Sequence, residues 1–306
     1  MKKKKRKNRR PWLDYIEYLI FICIMKFFSI IPYRWASDIG GFLGCIGYRM
    51  DVRHRNIALR NLSIAFPEED KNRLAGIAKK SFENIGRSAA EFLHVAGRKA
   101  EAIHGILHTW ITVEGRENLD KAINKGKGLL YLTAHFGNWE LLGITVAAIY
   151  PLNEIVRPID NRRIDGVITS MRNVTGASVL PKRGVLRDTL KKLRKGEAVA
   201  ILLDQNTSRR EGVFVDFLGY PAATNRSMAL IALKSEASVI PLFILREETY
   251  RHRVIYAPEV IVQRSKDLGM DVISNTERFT KVIESYIRSY PEQWFWMHQR
   301  WKTRPE

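Results

Sequence analysis

His135 and Glu140 are the side chains best placed in this sequence to move a proton. They sit in Ala134-His135-Phe136-Gly137-Asn138-Trp139-Glu140. Upstream, Gly128 is followed by the apolar run Leu129 to Thr133, which reads as a buried strand. Downstream, Leu141 to Tyr150 is apolar and long enough for a helix. His135 therefore falls near the carboxyl end of a strand, where open α/β sheets bind their ligands. Glu140 falls in the first helical turn, with Asn138 as its N-cap. On one continuous helix, residues five apart point to different faces. With His135 in the turn and Glu140 on the helix, the two side chains can converge. A carboxylate on one ring nitrogen leaves the other to take a proton from a hydroxyl, which is the work of a general base. The same residues also fit a histidine packed in a turn beside a surface glutamate, because short motifs recur by chance.

Other candidates share that end of the predicted sheet. Asp204-Gln205-Asn206 follows the apolar run Ala198–Leu203 and should emerge beside His135; an ordinary polar turn has the same composition. Arg157-Pro158 ends another predicted strand, and Arg172 lies on a helix before Gly176. Either arginine could bind phosphate or steady an oxyanion, or simply face solvent. Phe217 to Thr224 is rich in turn residues and leads into a helix capped by Thr224. It could line an acyl-chain or pantetheine channel, or merely connect. The tail Trp294 to Lys302 mixes aromatic and basic residues, and His298 within it reads as structural. There is no Gly-x-Ser-x-Gly elbow, phosphate-binding loop or dinucleotide fingerprint. Direct transfer is thus favoured over a covalent enzyme intermediate.

The elements that must hold these groups alternate from Trp110 onward. Strands are predicted at Leu129–Thr133, Glu154–Arg157, Ser178–Leu180, Ala198–Leu203, Val239–Leu245 and Arg253–Ala257. Helices fall at Asn138–Tyr150, Arg162–Thr175, Val185–Lys195 and Arg226–Glu236, with a last one at about Val272–Ser289. This order predicts an α/β fold with a mainly parallel or mixed central sheet flanked by helices. Earlier, a long amphipathic helix is predicted from Pro67 to about Ala96, with Pro67 first and Glu68, Glu69 and Asp70 at its positive end. Ser29 to Leu107 reads as a helical section that would carry any lipid-facing surface.

The chain has 306 residues and a formal charge of +19. Eight of the positive charges fall in residues 1–10, and the remainder is still basic. Such a field favours acidic partners such as anionic lipid, phosphorylated substrates or acidic proteins; no nucleic-acid-binding module is recognisable. The leader runs into Trp12 to Pro32, apolar and aromatic, with no small-residue cleavage site after it. Asp14, Glu17 and Lys26 leave only Tyr18 to Met25 uncharged, short of the roughly 20 apolar residues a spanning helix needs. A hydrophobic anchor lying in the membrane interface is expected. Cys23 and Cys45 read as two buried thiols in a reducing compartment, with no metal-ligand spacing.

Taken together these residues resemble the bacterial lipid A biosynthesis acyltransferases, the late lauroyl and myristoyl transferases. They also resemble the wider glycerolipid acyltransferase superfamily, whose hallmark is His-x4-Asp/Glu. The resemblance spans nearly the whole chain: the apolar amino-terminal segment, Arg60-Asn61-Leu62 with Phe66-Pro67, His135 to Glu140, Arg157-Pro158 with Asn161, Arg172, the Asp204 turn, Phe217 to Thr224, and Pro291-Glu292-Gln293 with Trp296, His298, Arg300 and Lys302. It implies a glycerolipid-acyltransferase-like fold with a leader and anchor over residues 1–35 and an acyltransferase domain over 36–306, mostly helical to 110. It implies acyl transfer from acyl–acyl carrier protein to a hydroxyl of an acylated, phosphorylated glucosamine disaccharide, a lipid A precursor of the Kdo2-lipid IVA type. The place would be the cytoplasmic face of the inner membrane, and no cofactor is implied beyond the donor. His135 resembles the base, Glu140 its orienting carboxylate, and Arg172 and Asp204 further active-site positions. The second motif of the glycerophosphate branch, Phe-Pro-Glu-Gly-Thr-Arg, is absent. Acylation of another glycolipid, such as a phosphoinositide mannoside, and a non-catalytic basic membrane-binding role are the other readings.

Overall fold

The computed structural model describes residues 11–96, 98–156, 158–174, 176–181 and 185–305. Five helices precede the first strand: α1 (Pro11–Ile30), α2 (Tyr33–Met50), α3 (Val52–Ala65), α4 (Lys71–Ala96) and α5 (Ala100–Trp110). Strands and helices then alternate as β1 (Ile111–Glu114), α6 (Arg116–Asn124), β2 (Leu129–Thr133), α7 (Trp139–Ala147), β3 (Leu152–Val156), α8 (Arg162–Asn173), β4 (Ser178–Pro181), α9 (Val185–Arg194) and β5 (Ala198–Leu202). A hairpin follows, β6 (Gly212–Phe217) and β7 (Tyr220–Asn225). The chain continues through α10 (Ser227–Ser235), β8 (Ser238–Arg246), β9 (His252–Tyr256), α11 (Leu268–Ser289) and a 3-10 turn, Pro291–Gln293.

The predicted α/β class is what forms. Seven strands make one sheet in the order β1-β9-β8-β2-β5-β3-β4. Strands separated by a helix pair in parallel, because such a return needs a crossover of a dozen residues or more. β8 and β9, joined by a short turn, are antiparallel. β2 lies between β5 and β8 and all five of its residues are buried, which is why its sequence is continuously apolar.

Several boundaries differ from expectation for local reasons. α4 starts at Lys71 rather than Pro67, because the Asp70 carboxylate caps it by accepting from the Asn72 and Arg73 N–H groups. Asp267 likewise caps α11, which begins four residues before the predicted start. Phe217 to Thr224 is a β-hairpin and not a loop leading into a helix. Thr224 lies within β7, and its hydroxyl accepts from Arg300 instead of capping α10. The thiols are not both buried: Cys23 is exposed on α1 and Cys45 is half-buried.

α1 presents Trp12, Ile20 and Phe27 to the outside, and α2 adds Trp35 and Phe42. Among the described residues, no helix is long and apolar enough to cross a membrane. Polar straps tie α1 to the body. Asn161 donates to the Asp14 carbonyl at 2.8 Å, and Arg98 donates to the Ser29 carbonyl at 2.7 Å. α2 and α4 touch backbone to backbone: a Cβ on Gly40 would lie 2.4 Å from the Gly86 oxygen.

A buried charge cluster joins these helices to the sheet. Glu91 of α4 is fully buried. Its carboxylate accepts from Arg246 at 2.6 and 2.9 Å, from Ser37 at 2.7 Å and from Asn138 at 2.8 Å, and lies 3.2 Å from His252 Nε2. Burial opposes its ionisation, but Arg246 and His252 outweigh that and hold it far below the usual carboxylate range.

Candidate active site

Parallel pairing dictates which groups meet at the carboxyl end of the sheet. Thr133 of β2 is in register with Leu202 of β5. Two residues further along each chain stand His135 and Asp204. The Asp204 carboxylate accepts from the His135 backbone N–H at 3.0 Å through one oxygen and faces Nδ1 at 2.9 Å through the other. The Trp294 indole donates to the same carboxylate at 2.8 Å. Asp204 is 2 % exposed. Burial alone would raise its pKa, yet His135 and these donors lower it, so it is a carboxylate. A carboxylate only accepts, so Nδ1 carries the ring proton and Nε2 keeps the lone pair. Burial disfavours the imidazolium, but the Asp204 charge prevails and raises the His135 pKa; Glu140 adds to the rise.

The turn itself is held from several sides. Gly137 has φ +57°, and a Cβ there would lie 2.0 Å from the Ile244 oxygen. Its N–H donates to Gln293 at 2.9 Å, and the His135 carbonyl accepts from Phe295 at 3.0 Å. The predicted N-cap is present: Asn138 Oδ1 accepts from the Leu141 N–H at 3.1 Å. Its amide nitrogen donates to Glu91 and to the Ser88 carbonyl, so this buried side chain fixes the turn and has no group left for a substrate. Trp139, in a T-shaped contact, and Phe295, tilted, flank the His135 ring.

Glu140 does not orient the imidazole. No hydrogen bond joins it to His135 among the described residues; its carboxylate accepts from Nε and Nη2 of Arg172, at 2.7 to 3.2 Å. From the first turn of α7 its side chain faces α8, whereas the neighbouring strand delivers Asp204 directly to Nδ1. Arg172 also approaches Glu154 of β3 at 3.4 Å. The structure thus brings His135, Asp204, Glu140 and Arg172 to one end of the sheet. Arg157 lies outside the described residues. Three contributors were not singled out from sequence: Gln205 as a contact of the ring, Trp294 as a donor to Asp204, and Glu154. Each depends on a contact between segments far apart in the chain. His298 is structural, as expected: its Nε2 accepts from the Asn206 N–H at 2.8 Å. Among the described residues no group of three or more His, Cys, Asp or Glu side chains could hold a metal ion.

Residues 2–303 match the family model described as bacterial lipid A biosynthesis acyltransferase. The chain belongs to this family. It is similar to the lipid A biosynthesis lauroyltransferase of Escherichia coli (strain K12), 28% identical over 97% of this chain and 94% of that one. It is also similar to the palmitoleoyltransferase of the same organism, 26% identical over 90% and 87%, and to its myristoyltransferase, 22% identical over 92% and 86%. The chain is therefore an acyltransferase.

Glu154 gives this acyltransferase a measurable pH signature. Burial lifts its pKa to about 7; Arg172 opposes the rise and Glu140 reinforces it. A carboxyl group with a raised folded-state pKa stabilises the fold below its unfolded value near 4.5 and loses that contribution as pH climbs to about 7. Ionising Glu154 in place therefore costs the fold up to about 3 kcal/mol. Glu154→Gln is expected to leave the melting temperature near that of the parent at pH 5 and to exceed it at pH 8. Thermal melts at both pH values check this; equal shifts at both would refute it.

Proposed function

We propose that this acyltransferase carries a fatty acyl chain from acyl–acyl carrier protein to a hydroxyl of a lipid A precursor of the Kdo2-lipid IVA type, with His135 as general base. The observation that supports the reading is the His135 ring, fixed by Asp204 through Nδ1, which leaves the lone pair on Nε2. The acceptor hydroxyl attacks the thioester carbonyl carbon while Nε2 takes its proton. Asp204 stabilises the imidazolium, with Glu140 adding to the field. The tetrahedral oxyanion falls to Arg172 or to backbone N–H groups near the turn. Its collapse breaks the C–S bond, and the imidazolium returns the proton to the departing thiol.

The same reading places the protein at the cytoplasmic face of the inner membrane. The exposed Trp, Phe and Ile side chains of α1 and α2 suit the headgroup region, and basic residues complement anionic lipid and an acidic carrier. Purified protein supplied with acyl–acyl carrier protein is expected to add one acyl chain to a tetra-acylated lipid A precursor, read by mass spectrometry. Acylation of a phosphoinositide mannoside alone would replace the acceptor in this reading. Absence of transfer to either would reject it.

A further inference from the structure

The basic nitrogen of His135 is already occupied. The Gln205 carboxamide nitrogen stands 3.1 Å from Nε2. Asp204 fixes the proton on Nδ1, so Nε2 has a single lone pair in the ring plane, and an N–H of Gln205 fills it. An acceptor hydroxyl must reach that lone pair at about 2.6–3.2 Å. The two donors compete for one position and cannot hold it together.

The surroundings of Gln205 let its side chain move while its backbone stays. On one side, Asp204 is pinned by His135 and Trp294. On the other, the Asn206 N–H donates to His298 at 2.8 Å, and the Asn206 side chain exchanges two hydrogen bonds with Thr303, both at 3.1 Å. Between these anchors Gln205 is half-buried, and its carboxamide hangs on freely staggered torsions. Rotation about them uncovers Nε2 without disturbing Asp204.

We propose that Gln205 is a displaceable cap on the base, which yields to the acceptor hydroxyl but not to water, and so restrains wasteful hydrolysis of a bound donor thioester. This rests on His135 being the base. In the reaction that is restrained, a water oxygen attacks the thioester carbonyl carbon and passes its proton to Nε2. The C–S bond breaks, the thiol leaves with that proton, and a free fatty acid is released. Water has no contacts other than Nε2 with which to displace the amide. A sugar hydroxyl arrives tethered to a large lipid, whose binding elsewhere on the protein drives the exchange. A neutral hydrogen bond of ordinary strength suppresses the uncapped state by about 2- to 10-fold, enough to bias partition between water and acceptor.

The test measures thiol release from acyl–acyl carrier protein by purified protein without acceptor. Gln205→Ala is expected to raise this hydrolysis about 3- to 10-fold and to lower the KM for acceptor. Gln205→Met, which keeps the bulk and has no N–H, should do the same and guards against a folding defect in the alanine variant. Both should speed modification of His135 by diethyl pyrocarbonate, which attacks an unprotonated ring nitrogen. Hydrolysis unchanged or reduced in both variants overturns the cap. The underlying base assignment has its own control: the extra hydrolysis must vanish in the double variant His135→Ala, Gln205→Ala. If it persists there, His135 is not the base, whatever Gln205 does.

Discussion

His135→Ala is expected to lower kcat/KM for acyl transfer by about 10²–10⁴-fold, the usual range for a general base, while leaving the fold intact. The ring packs at the surface of the site and not in the sheet core, so its loss opens no large cavity. Asp204→Asn is the sharper experiment. It keeps the shape but replaces an acceptor-only group with one that can donate, so the tautomer with a proton on Nε2 becomes available. The plateau is expected to fall by about 10²-fold or more. The pH profile should move as well. In the parent, activity is expected to rise with pH as His135 loses its proton, with a midpoint above the ordinary histidine value because Asp204 raises that pKa. Without the carboxylate charge, burial dominates and the midpoint moves to lower pH. Profiles of kcat/KM for parent and variant decide the matter. An unchanged plateau and midpoint in Asp204→Asn would remove Asp204 from the mechanism, and full activity in His135→Ala would remove the mechanism itself.

How His135 came to be legible, and its partner less so, follows from the range of each interaction. His135 was readable because strand, turn, cap and helix are consecutive, and each leaves a local trace: the apolar run of β2, Asn138, and the apolar face of α7. Its carboxylate partner lies 69 residues away in sequence. Glu140 was the nearer acid, and a spacing argument sees only neighbours. Asp204 was recognised as sharing the same end of the sheet, but the pairing of β2 with β5 was needed to show that it, and not Glu140, meets Nδ1. The hairpin of β6 and β7 was missed for a related reason. Its turn places Leu218 at φ 55° and Gly219 at φ 86°, the positive values a tight hairpin needs. Leucine seldom adopts that conformation, so Leu-Gly gives little turn signal. The register of the strands holds it there. In the mixed aromatic and basic tail nothing local distinguishes Trp294; its indole N–H is what ties the tail to Asp204.

Glu91→Ala is expected to be the most damaging single change to stability, costing about 3–5 kcal/mol. Arg246 and His252 would be left beside an empty, water-poor site, with Ser37 and Asn138 also losing their acceptor. Chemical denaturation would read the loss directly. Glu91→Gln should cost less, since it keeps the volume and one acceptor oxygen. It should also remove a pH dependence: a carboxyl group whose folded pKa is depressed stabilises the fold above its unfolded value near 4.5, and that contribution drains away as pH falls below it. The parent should therefore lose stability faster than Glu91→Gln on acidification. Activity should fall further than unfolding explains, because Asn138 is anchored by Glu91 and sits three residues from His135 in the same turn. A folded Glu91→Gln fraction with parental kcat and KM would show that the cluster supports the fold alone; a reduced kcat in that fraction would show that the buried charges also set the geometry of the base.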